Sequence, residues 1–371
     1  MWLSELEQSR YSRHLLMPDV GEDGQHKLKN ASVLLVGLGG LGVPVAQYLT
    51  AAGVGRLGLS DGDVVDLSNL QRQVLYGTQD IGARKVVVAA EKLQQLNPHV
   101  QFESFSVPIT AENALELCAD YDVVVDATDN FPTRYVLNDA CVLTQKPLVH
   151  ASIYRWEGQV SVLAQTGSAC YRCLFPIPPP PELVPSCTEA GVLGVLPGII
   201  GSFQAAEVLK LLLGIGQPLW NTLLTIDVRR MEIKKMTVAP DPKCPICGEH
   251  PTQTTLLADY EAFCGVSGVP ETHIDVPTLK KWLRETPNLL LLDVREPEEF
   301  ETGHINGRSV PLGTLCEWMT TSGIPANQRI VVHCQSGLRS RKAVELLHGM
   351  GYTNVFHLQG GYWAWKTKAI R

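Results

Sequence analysis

The stretch Ser32-Val-Leu-Leu-Val-Gly-Leu-Gly-Gly-Leu-Gly42 decides the fold of the amino-terminal part of the chain. Its apolar, β-branched start predicts a buried parallel strand. The strand pattern ends at Gly37, and Gly37, Gly39 and Gly42 fit the spacing G-x-G-x-x-G. Apolar residues at helical spacing follow as far as Gly53. The glycines therefore lie between a strand and a helix N-terminus, where backbone N–H groups can face a phosphate.

A carboxylate further along the chain favours a nucleotide site over a turn that serves packing alone. Asp61 directly follows the apolar residues 56–60, at the distance where such a carboxylate meets a ribose. The glycines and Asp61 do not distinguish a dinucleotide from ATP.

Polar residues follow at the same edge of the expected sheet. The loop Leu67-Ser-Asn-Leu-Gln-Arg-Gln73 brings Asn69 and Arg72 close behind the Asp61 strand, where open α/β sheets bind ligands. Lys85 opens an amphipathic helix, although a lysine there opposes the helix dipole. A phosphate partner would remove that conflict; an ordinary surface lysine is the alternative.

A third strand ends in acidic residues. Tyr121-Asp-Val-Val-Val-Asp-Ala-Thr-Asp-Asn130 is an apolar strand followed by Asp129 and Asn130. A carboxylate beside a triphosphate suits Mg²⁺ coordination. The two residues also precede a helical pattern and can cap that helix. The local sequence leaves both interpretations open.

Two C-x-x-C pairs predict a structural zinc site. The four thiols, which suit closed tetrahedral Zn²⁺ coordination, are Cys170, Cys173, Cys244 and Cys247. A redox dithiol is the rival for either pair alone. Ten cysteines used in this way indicate reduced thiols and a cytoplasmic protein.

Composition excludes several classes of protein. The 371 residues are 45% apolar with a net charge of −7, which argues against a general nucleic-acid or membrane-surface binder. The amino terminus lacks a signal-peptide pattern, and the richest apolar stretch, 191–213, is interrupted by Pro197, Glu207 and Lys210. We therefore expect neither a nucleic-acid partner nor a membrane partner.

One further cysteine stands apart from the two pairs. Cys187 follows the proline-rich residues 176–185, which predict an extended segment. A lone cysteine is more often a packed residue than a nucleophile. Its polar surroundings beside the nucleotide site raise Cys187 above that expectation.

Helices and strands alternate again from Val276, which predicts a second, smaller α/β domain. Cys334 ends a strand there, and a short loop leads into a helix near Arg339. Loop N–H groups, the helix N-terminus and Arg339, Arg341 and Lys342 favour the thiolate of Cys334. We interpret Cys334 as a reactive thiol.

These motifs together resemble a known family. Residues 1–250 resemble bacterial adenylyltransferases of ubiquitin-like sulfur carriers for molybdopterin and thiamine synthesis, relatives of ubiquitin-activating enzymes. Residues 271–371 resemble a rhodanese domain, through Leu292-Asp-Val-Arg-Glu296, Gly303-His-Ile305 and the Cys334 loop. The linker is then 251–270, with Tyr260-Glu-Ala-Phe-Cys264 as a docking segment. The implied fold is a Rossmann-like ATP-binding α/β domain with structural zinc, followed by the rhodanese α/β domain.

The resemblance also assigns roles to individual residues. It implies that Asp129 binds through Mg²⁺, that Cys187 forms a carrier-linked intermediate, and that Arg13 reaches the phosphates of a neighbouring subunit. Arg13 alone would be a surface charge; with the resemblance it predicts a homodimer. The residues implied in ATP binding are Gly37, Gly39, Gly40, Gly42, Asp61, Ser68, Asn69, Leu70, Gln71, Arg72, Lys85, Asp129 and Asn130.

The implied reaction is adenylation of a separate carrier protein at its C-terminal Gly-Gly, followed by sulfur transfer from a Cys334 persulfide to give a thiocarboxylate. Arg72, Lys85, Arg13 and Mg²⁺ would neutralise phosphate charge. The rivals are an NAD-dependent oxidoreductase, a phosphatase-like second domain and a non-catalytic docking scaffold. The sulfur donor is a persulfide or thiosulfate. The carrier's pathway is open between molybdopterin, thiamine, cysteine and tRNA thiolation. Asn306-Gly-Arg308 and the Cys334 loop depart from the usual rhodanese pattern.

Overall fold

The computed structural model describes residues 3–179, 191–265, 273–286 and 288–369. Two compact units make up the chain, Met1–Val266 and Ser267–Arg371. Cys187, the proline-rich residues 180–185 and the linker residues 266–270 lie outside the described residues.

A mixed sheet forms the centre of the first unit, in the order β3-β2-β1-β4-β5-β6-β7-β8. Strands β1 to β5 run parallel and β6 to β8 are antiparallel. The strands are β1 (Ser32–Val36), β2 (Arg56–Ser60), β3 (Gln101–Phe105), β4 (Val123–Asp126), β5 (Leu148–Tyr154), β6 (Glu157–Leu163), β7 (Thr222–Asp227) and β8 (Glu232–Thr237).

Helices cover this sheet and bury its apolar residues. They are α1 (Glu5–Arg10), α2 (Ser12–Leu15), α3 (Gly21–Asn30), α4 (Gly42–Ala52), α5 (Lys85–Leu96), α6 (Ala114–Ala119), α7 (Phe131–Thr144), α8 (Tyr171–Leu174), α9 (Val195–Leu213) and α10 (Tyr260–Phe263). All five residues of β1 are buried, as a central parallel strand requires.

Helix α9 is longer than its sequence indicates. The apolar pattern predicts a helix from Gly201 to Leu213, yet the helix begins at Val195. Pro197 lies in the first turn, where its missing N–H costs no hydrogen bond. Among the described residues, α9 alone is long and apolar enough to span a membrane, and it packs against α4 and β5.

Strand register sets the position of the site. Val36 pairs with Ser60 on one side and with Asp126 on the other. The carboxyl ends of β1, β2 and β4 therefore coincide. The residues that follow these strands, namely the glycine turn, Asp61 and the segment from Ala127, meet at one sheet edge.

Part of the expected linker belongs to the first unit. The hydroxyl of Tyr260 donates to the buried Asp139 at 2.7 Å, and the Gln253 side chain donates to the same carboxylate at 2.8 Å. Arg172 completes the group with two bonds to Asp139. These contacts dock the segment containing Tyr260 on α7.

A parallel five-stranded sheet forms the second unit, in the order β11-β10-β12-β13-β9. Asp293 pairs with His333, so the loops after β10 and β12 lie at the same edge. Strands β9 and β11 and helices α13 and α15 were not expected from the sequence. The elements are β9 (His273–Ile274), α11 (Val276–Glu285), β10 (Leu290–Asp293), α12 (Pro297–Glu301), β11 (Arg308–Ser309), α13 (Leu315–Ser322), β12 (Ile330–His333), α14 (Leu338–Gly349), β13 (Val355–Leu358) and α15 (Gly361–Ala369).

Candidate active site

The glycines after β1 have two different roles. Gly37 has a φ of +93°, and a Cβ there would lie 2.7 Å from the Ala127 carbonyl oxygen. A Cβ at Gly42 would overlap the carbonyl oxygen of Gly37. These two glycines close the turn against backbone, and Gly37, Gly39 and Gly40 line the adjacent cavity. The turn serves packing and leaves backbone open to a ligand.

Asp61 connects the glycine turn to the loop after β2. Its carboxylate accepts hydrogen bonds from the backbone N–H of Leu38 at 2.7 Å and of Asp63 at 2.8 Å. Burial raises the pKa of Asp61, while the nearby Lys85 charge and these two N–H donors oppose that increase. The carboxylate thus fixes the shape of the turn from within the site.

Lys85 is a buried cation at the start of α5. Its side chain is only 6% exposed, and Nζ lies 2.9 Å from Asp63 and 3.8 Å from Asp61. The two carboxylates supply the anionic partner that a lysine at a helix N-terminus needs. Lys85 therefore enters the cavity as part of a charge cluster rather than as a surface lysine.

A cavity of about 570 Å³ opens where these loops meet. Residues from the glycine turn, the Asp61 loop, the Arg72 loop, α5 and the segment after β4 enclose it. The site residues named from the sequence that line it are Gly37, Gly39, Gly40, Asp61, Asn69, Arg72, Lys85, Asp129 and Asn130.

Four of the named residues lie outside this lining. Gly42 closes the turn, and the Ser68 hydroxyl donates to Asp66 at 2.6 Å. The carbonyl oxygen of Ser68 accepts a hydrogen bond from Arg72 Nη1 at 2.9 Å. Leu70 packs on the hydrophobic core, and Gln71 lies against Gly194. Their structural contacts shape the loop that presents Arg72.

Three lining residues were missed as site residues from the sequence. Asp63 pairs with Lys85, Gln73 is buried with its Oε1 unpaired among the described residues, and Arg134 donates to the Thr128 carbonyl at 3.1 Å. Asp63 lies within the acidic run and Gln73 lies within the Arg72 loop. Their position next to predicted site residues is the sequence signal that could have identified them. Arg134 lies inside a helix, where nothing local distinguishes it.

In the segment after β4, helix capping and ligand binding fall to different residues, a distinction that the sequence left open. Asn130 is the N-cap of α7, and its side-chain oxygen accepts the Thr133 N–H at 2.9 Å. Asp129 is exposed in the cavity, and its carboxylate has no hydrogen-bond partner among the residues that the structure describes. Asn130 alone therefore caps the helix, which leaves the Asp129 carboxylate available to a ligand.

A buried Asp–His pair supports this segment. Asp126 accepts hydrogen bonds from His150 Nδ1 at 2.7 Å and from the backbone and hydroxyl of Thr128 at 3.0 and 2.6 Å. Burial opposes ionisation of Asp126, but these bonds outweigh it and lower its pKa. Burial also lowers the pKa of His150, which is consistent with a neutral imidazole. The pair fixes the backbone that leads to Asp129.

The two C-x-x-C pairs meet although 70 residues separate them. The four sulfur atoms lie within 4.8 Å of one another. Three of their separations are 3.4, 3.6 and 3.9 Å. A tetrahedron with Zn–S bonds of about 2.3 Å requires sulfur separations of about 3.8 Å. The Asp241 N–H donates to Cys173 Sγ at 3.4 Å, which is a typical outer interaction of a metal ligand. The cluster fits a structural zinc ion.

In the second unit Cys334 lies at the end of β12, in a loop that leads into α14. The backbone N–H of Gly337 donates to its Sγ at 3.1 Å, and the thiol donates to the Ser340 hydroxyl at 3.7 Å. Gly337 has a φ of +103°, which lets the loop turn its N–H towards the sulfur. Cys334 is only 1% exposed, so the sulfur atom of a donor must enter the loop to reach the Cys334 thiol.

Arg295 fastens the Cys334 loop to its neighbours. Its buried guanidinium makes a bidentate pair with Asp293, donates to Gln335 Oε1 at 3.0 Å and donates to the Gly303 carbonyl at 2.7 Å. The Asp-Val-Arg and Gly-His-Ile motifs are thereby tied to the loop that carries Cys334.

Comparison with known proteins assigns both units. The ThiF family model matches residues 11–246, which is more than half of the chain. The chain belongs to the ThiF family. A rhodanese-like domain model matches residues 275–368. The expected α/β architecture, a Rossmann-like domain followed by a rhodanese domain, is confirmed.

Curated relatives of this ThiF-family chain are named as enzymes. It is 57% identical over 270 residues to the sulfur carrier protein adenylyltransferase of Thermus thermophilus, covering 71% of this chain and 99% of that protein. It is 42% identical to the probable adenylyltransferase/sulfurtransferase MoeZ of Mycobacterium tuberculosis, covering 98% and 94%. It is 41% identical to the adenylyltransferase and sulfurtransferase MOCS3 of Xenopus laevis, covering 96% and 85%. The predicted activity of the chain, an adenylyltransferase and sulfurtransferase, is therefore confirmed. It is favoured over the alternatives of an oxidoreductase and a scaffold.

Solved structures share the fold over about two thirds of this chain. Escherichia coli MccB with ATP is 25% identical, with a TM-score of 0.58, covering 67% of this chain and 76% of that one. MccB with MccA-N7isoASN, at 24% identity and a TM-score of 0.59, covers the same shares and supports the fold alone.

Proposed function

We propose that this enzyme adenylates the C-terminal glycine of a ubiquitin-like sulfur carrier ending in Gly-Gly and then converts it to a thiocarboxylate with sulfur carried on Cys334. The observation that carries the proposal is the cavity in which Lys85, Arg72 and Asp129 surround an open glycine turn. The curated relative named for a sulfur carrier protein supports the identity of the substrate.

In the first step a carrier carboxylate oxygen attacks the α-phosphorus of ATP. A bond forms between that oxygen and phosphorus, the bond to the β-phosphate breaks, and pyrophosphate leaves. Lys85 and Arg72 offset the negative charge, and N–H groups of the glycine turn orient the phosphates. Asp61 is proposed to meet the ribose. A lysine held between two carboxylates is already oriented, so little reorganisation is needed when the phosphates arrive.

Mg²⁺ is a proposed cofactor of this step, and Asp129 is its proposed ligand. A carboxylate that has no hydrogen-bond partner in the described part of the chain, beside the proposed triphosphate, suits a hard cation that prefers oxygen ligands. The ion would neutralise phosphate charge.

A homodimer is proposed to complete the site through Arg13 of the neighbouring subunit. Arg13 is exposed on α2 and does not line the cavity of its own chain. Leu16 and Met17 beside it are 72% and 48% exposed. Apolar exposure next to an uncommitted arginine is consistent with a subunit interface there.

Sulfur transfer is proposed to follow, with residues 271–371 as the sulfurtransferase and 1–250 as the adenylyltransferase. Of the expected linker 251–270, the part up to residue 265 belongs to the first unit, which leaves 266–270 as the proposed linker. The terminal sulfur of a Cys334 persulfide attacks the adenylated carbonyl, and AMP leaves. A thiol then cleaves the acyl disulfide and releases the thiocarboxylate. An external thiol fills that role directly. Alternatively Cys187 first attacks the acyl-side sulfur, which gives the carrier-linked intermediate on Cys187 and frees the Cys334 thiolate, and an external thiol reductant then releases the thiocarboxylate.

The proposal extends to the location, the sulfur donor and the carrier. The location is the cytoplasm, in keeping with the reduced cysteines. The sulfur donor is a persulfide or thiosulfate. The carrier belongs to molybdopterin, thiamine, cysteine or tRNA thiolation, and pyrophosphate exchange measured with each candidate carrier would select among them.

Carrier-dependent pyrophosphate exchange tests the adenylation step. Asp129→Ala should reduce exchange by about a thousandfold or more in a folded protein, because charge on the phosphates is left unbalanced. Glu91→Ala, which removes an exposed carboxylate from the middle of α5, is the control and should exchange normally. Normal exchange in folded Asp129→Ala would refute the role of Asp129.

Mass spectrometry of the carrier C-terminus tests the sulfur step. Cys334→Ala should keep pyrophosphate exchange and lose thiocarboxylate formation. Cys187→Ala should also keep exchange and slow thiocarboxylate formation less severely. Thiocarboxylate formed at the normal rate by the Cys334 variant would show that the rhodanese domain is not the obligatory relay.

A further inference from the structure

Arg339, at the start of the helix that follows the Cys334 loop, is held in an ion pair. Arg339 Nη1 lies 2.5 Å from Glu299 Oε2, and Arg339 Nη2 lies 2.6 Å from Glu299 Oε1. The two side chains are 32% and 33% exposed. From the sequence Arg339 was expected to act on the thiolate; in the structure its guanidinium faces a carboxylate.

The surroundings of Glu299 keep its carboxylate ionised and oriented towards Arg339. The hydrogen bonds from Arg339 are the main reason that the pKa of Glu299 falls to about 2. Its Oε2 also accepts the backbone N–H of Glu296 at 3.0 Å, which fixes the carboxylate at the start of α12. The carboxylate is therefore ionised and oriented throughout the physiological pH range.

Arg339 nevertheless lies in the first turn of α14, the helix that begins directly after Gly337, whose N–H donates to Cys334 Sγ. Its pKa is raised chiefly by Glu299, and Cys334 is among the further charges that raise it. The other guanidinium beside the loop, Arg295, is buried and bonded to Asp293, Gln335 and Gly303. Arg339 and Arg295 are thus each paired with a carboxylate, whereas Arg341 and Lys342 are exposed on α14.

The two classes of sulfur donor differ in how much they need a free cation. With thiosulfate, the Cys334 thiolate attacks the outer sulfur, the S–S bond breaks, and sulfite leaves as a dianion. With an organic persulfide, the same attack releases a thiolate that carries one charge. In each case one thiolate becomes one persulfide, so atoms and charge balance without a redox partner. A dianion gains about twice as much as a monoanion from one nearby positive charge.

We propose that Glu299 determines donor specificity: by neutralising Arg339 it disfavours thiosulfate and leaves Cys334 to be loaded from a persulfide. This inference rests on the proposed function of Cys334 as a sulfur carrier. It adds a residue, Glu299, that touches neither the donor nor the sulfur and acts through Arg339.

The test compares Glu299→Gln with Glu298→Gln in the full chain. Glu298 is the exposed neighbour on α12, so its variant makes the same change in net charge without freeing Arg339. For Glu299→Gln we expect the KM for thiosulfate to fall and kcat/KM for thiosulfate-to-cyanide sulfur transfer to rise about tenfold. Glutathione persulfide loading should change less, and Glu298→Gln should match the wild type.

Alkylation of Cys334 gives a readout that does not depend on sulfur transfer. Iodoacetate is anionic and iodoacetamide is neutral, and peptide mass spectrometry reports their rates at Cys334. Freeing Arg339 should raise the iodoacetate to iodoacetamide rate ratio, whereas a purely structural loosening would raise both rates alike. In the double variant Glu299→Gln/Arg339→Gln the increase in this rate ratio should disappear.

The outcomes separate this inference from the proposed function. An unchanged rate ratio in Glu299→Gln, or an equal rise in Glu298→Gln, overturns the role of Glu299. A gain that persists in the double variant overturns the role of Arg339 and refutes the mechanism. Failure of wild-type Cys334 to accept sulfur from glutathione persulfide would refute the proposed function instead, and the alkylation ratio would still report the local charge.

Discussion

Acid should destabilise the second unit through His333, the residue before Cys334. Its imidazole is fully buried, and neither ring nitrogen has a hydrogen-bond partner among the described residues. The nearest carboxylate oxygen, on Asp293, is 3.6 Å from Nε2. Burial lowers the pKa of His333 from 6.5 to about 4, against the opposing charge of Asp293.

The sign and size of the effect follow from this difference. The folded state resists protonation, whereas the unfolded chain binds a proton as soon as the pH falls below 6.5. Stability is therefore complete above pH 6.5 and is lost as the pH falls towards 4. The loss from His333 is about 2 kcal/mol at pH 5 and about 3 kcal/mol at its limit. Burial also lowers the pKa of His357 to about 4, so it adds a loss of the same sign.

The variant His333→Leu should remove this part of the acid sensitivity. At pH 7 it should be within about 1 kcal/mol of the wild type, because no hydrogen bond is lost and a buried polar group is removed. Between pH 7 and 5 it should lose about 2 kcal/mol less stability than the wild type. Urea titration read by hydrogen-exchange mass spectrometry on peptides of 288–369 measures the second unit alone.

A control and a refuting result complete the design. His99→Leu changes an exposed histidine of the first unit. In this variant the stability of the second unit should depend on pH as it does in the wild type. If His333→Leu lost as much stability as the wild type between pH 7 and 5, the buried neutral histidine would not be the cause.

Three further predictions concern the first unit. Elemental analysis should find one zinc per chain, and its removal by a chelator should lower the urea midpoint because the ion ties distant segments together; pure protein without zinc would contradict the site. Gly42→Ala should destabilise the unit by about 2–4 kcal/mol and abolish pyrophosphate exchange, because the new Cβ overlaps a backbone carbonyl. Its control is Gly198→Ala, where α9 leaves open space and alanine should stabilise by about 0.5–1 kcal/mol; equal stability in both variants would refute the clash. Lys85→Met should keep the fold and reduce exchange about 10²- to 10³-fold, and an unchanged rate would exclude Lys85 from the phosphates.

Local sequence determined the features that depend on a few neighbouring residues. A strand, a glycine turn and a helix follow from apolar spacing and from the need for bare backbone, as Gly37 and Gly42 show. A cysteine at the end of a strand, before a glycine and a helix, identifies the Cys334 loop. Each of these signals lies within about ten residues, so no tertiary information is needed.

The tertiary structure alone decided which side chains meet. The motif around Arg72 names residues from 68 to 72, yet Leu70 packs on the hydrophobic core and Gln71 lies against Gly194, because a short loop cannot direct every side chain at a ligand. Asp63 became the partner of Lys85, and Glu299 the partner of Arg339, across 22 and 40 residues. The Asp63–Lys85 pair depends on how the connection between β2 and α5 folds back on itself, with Val64 bridged to Arg84. The Glu299–Arg339 pair depends on strand order and register, which place the carboxyl ends of β10 and β12 at one edge. Charge pairing across that edge is a property of the assembled sheet, and no local pattern carries it.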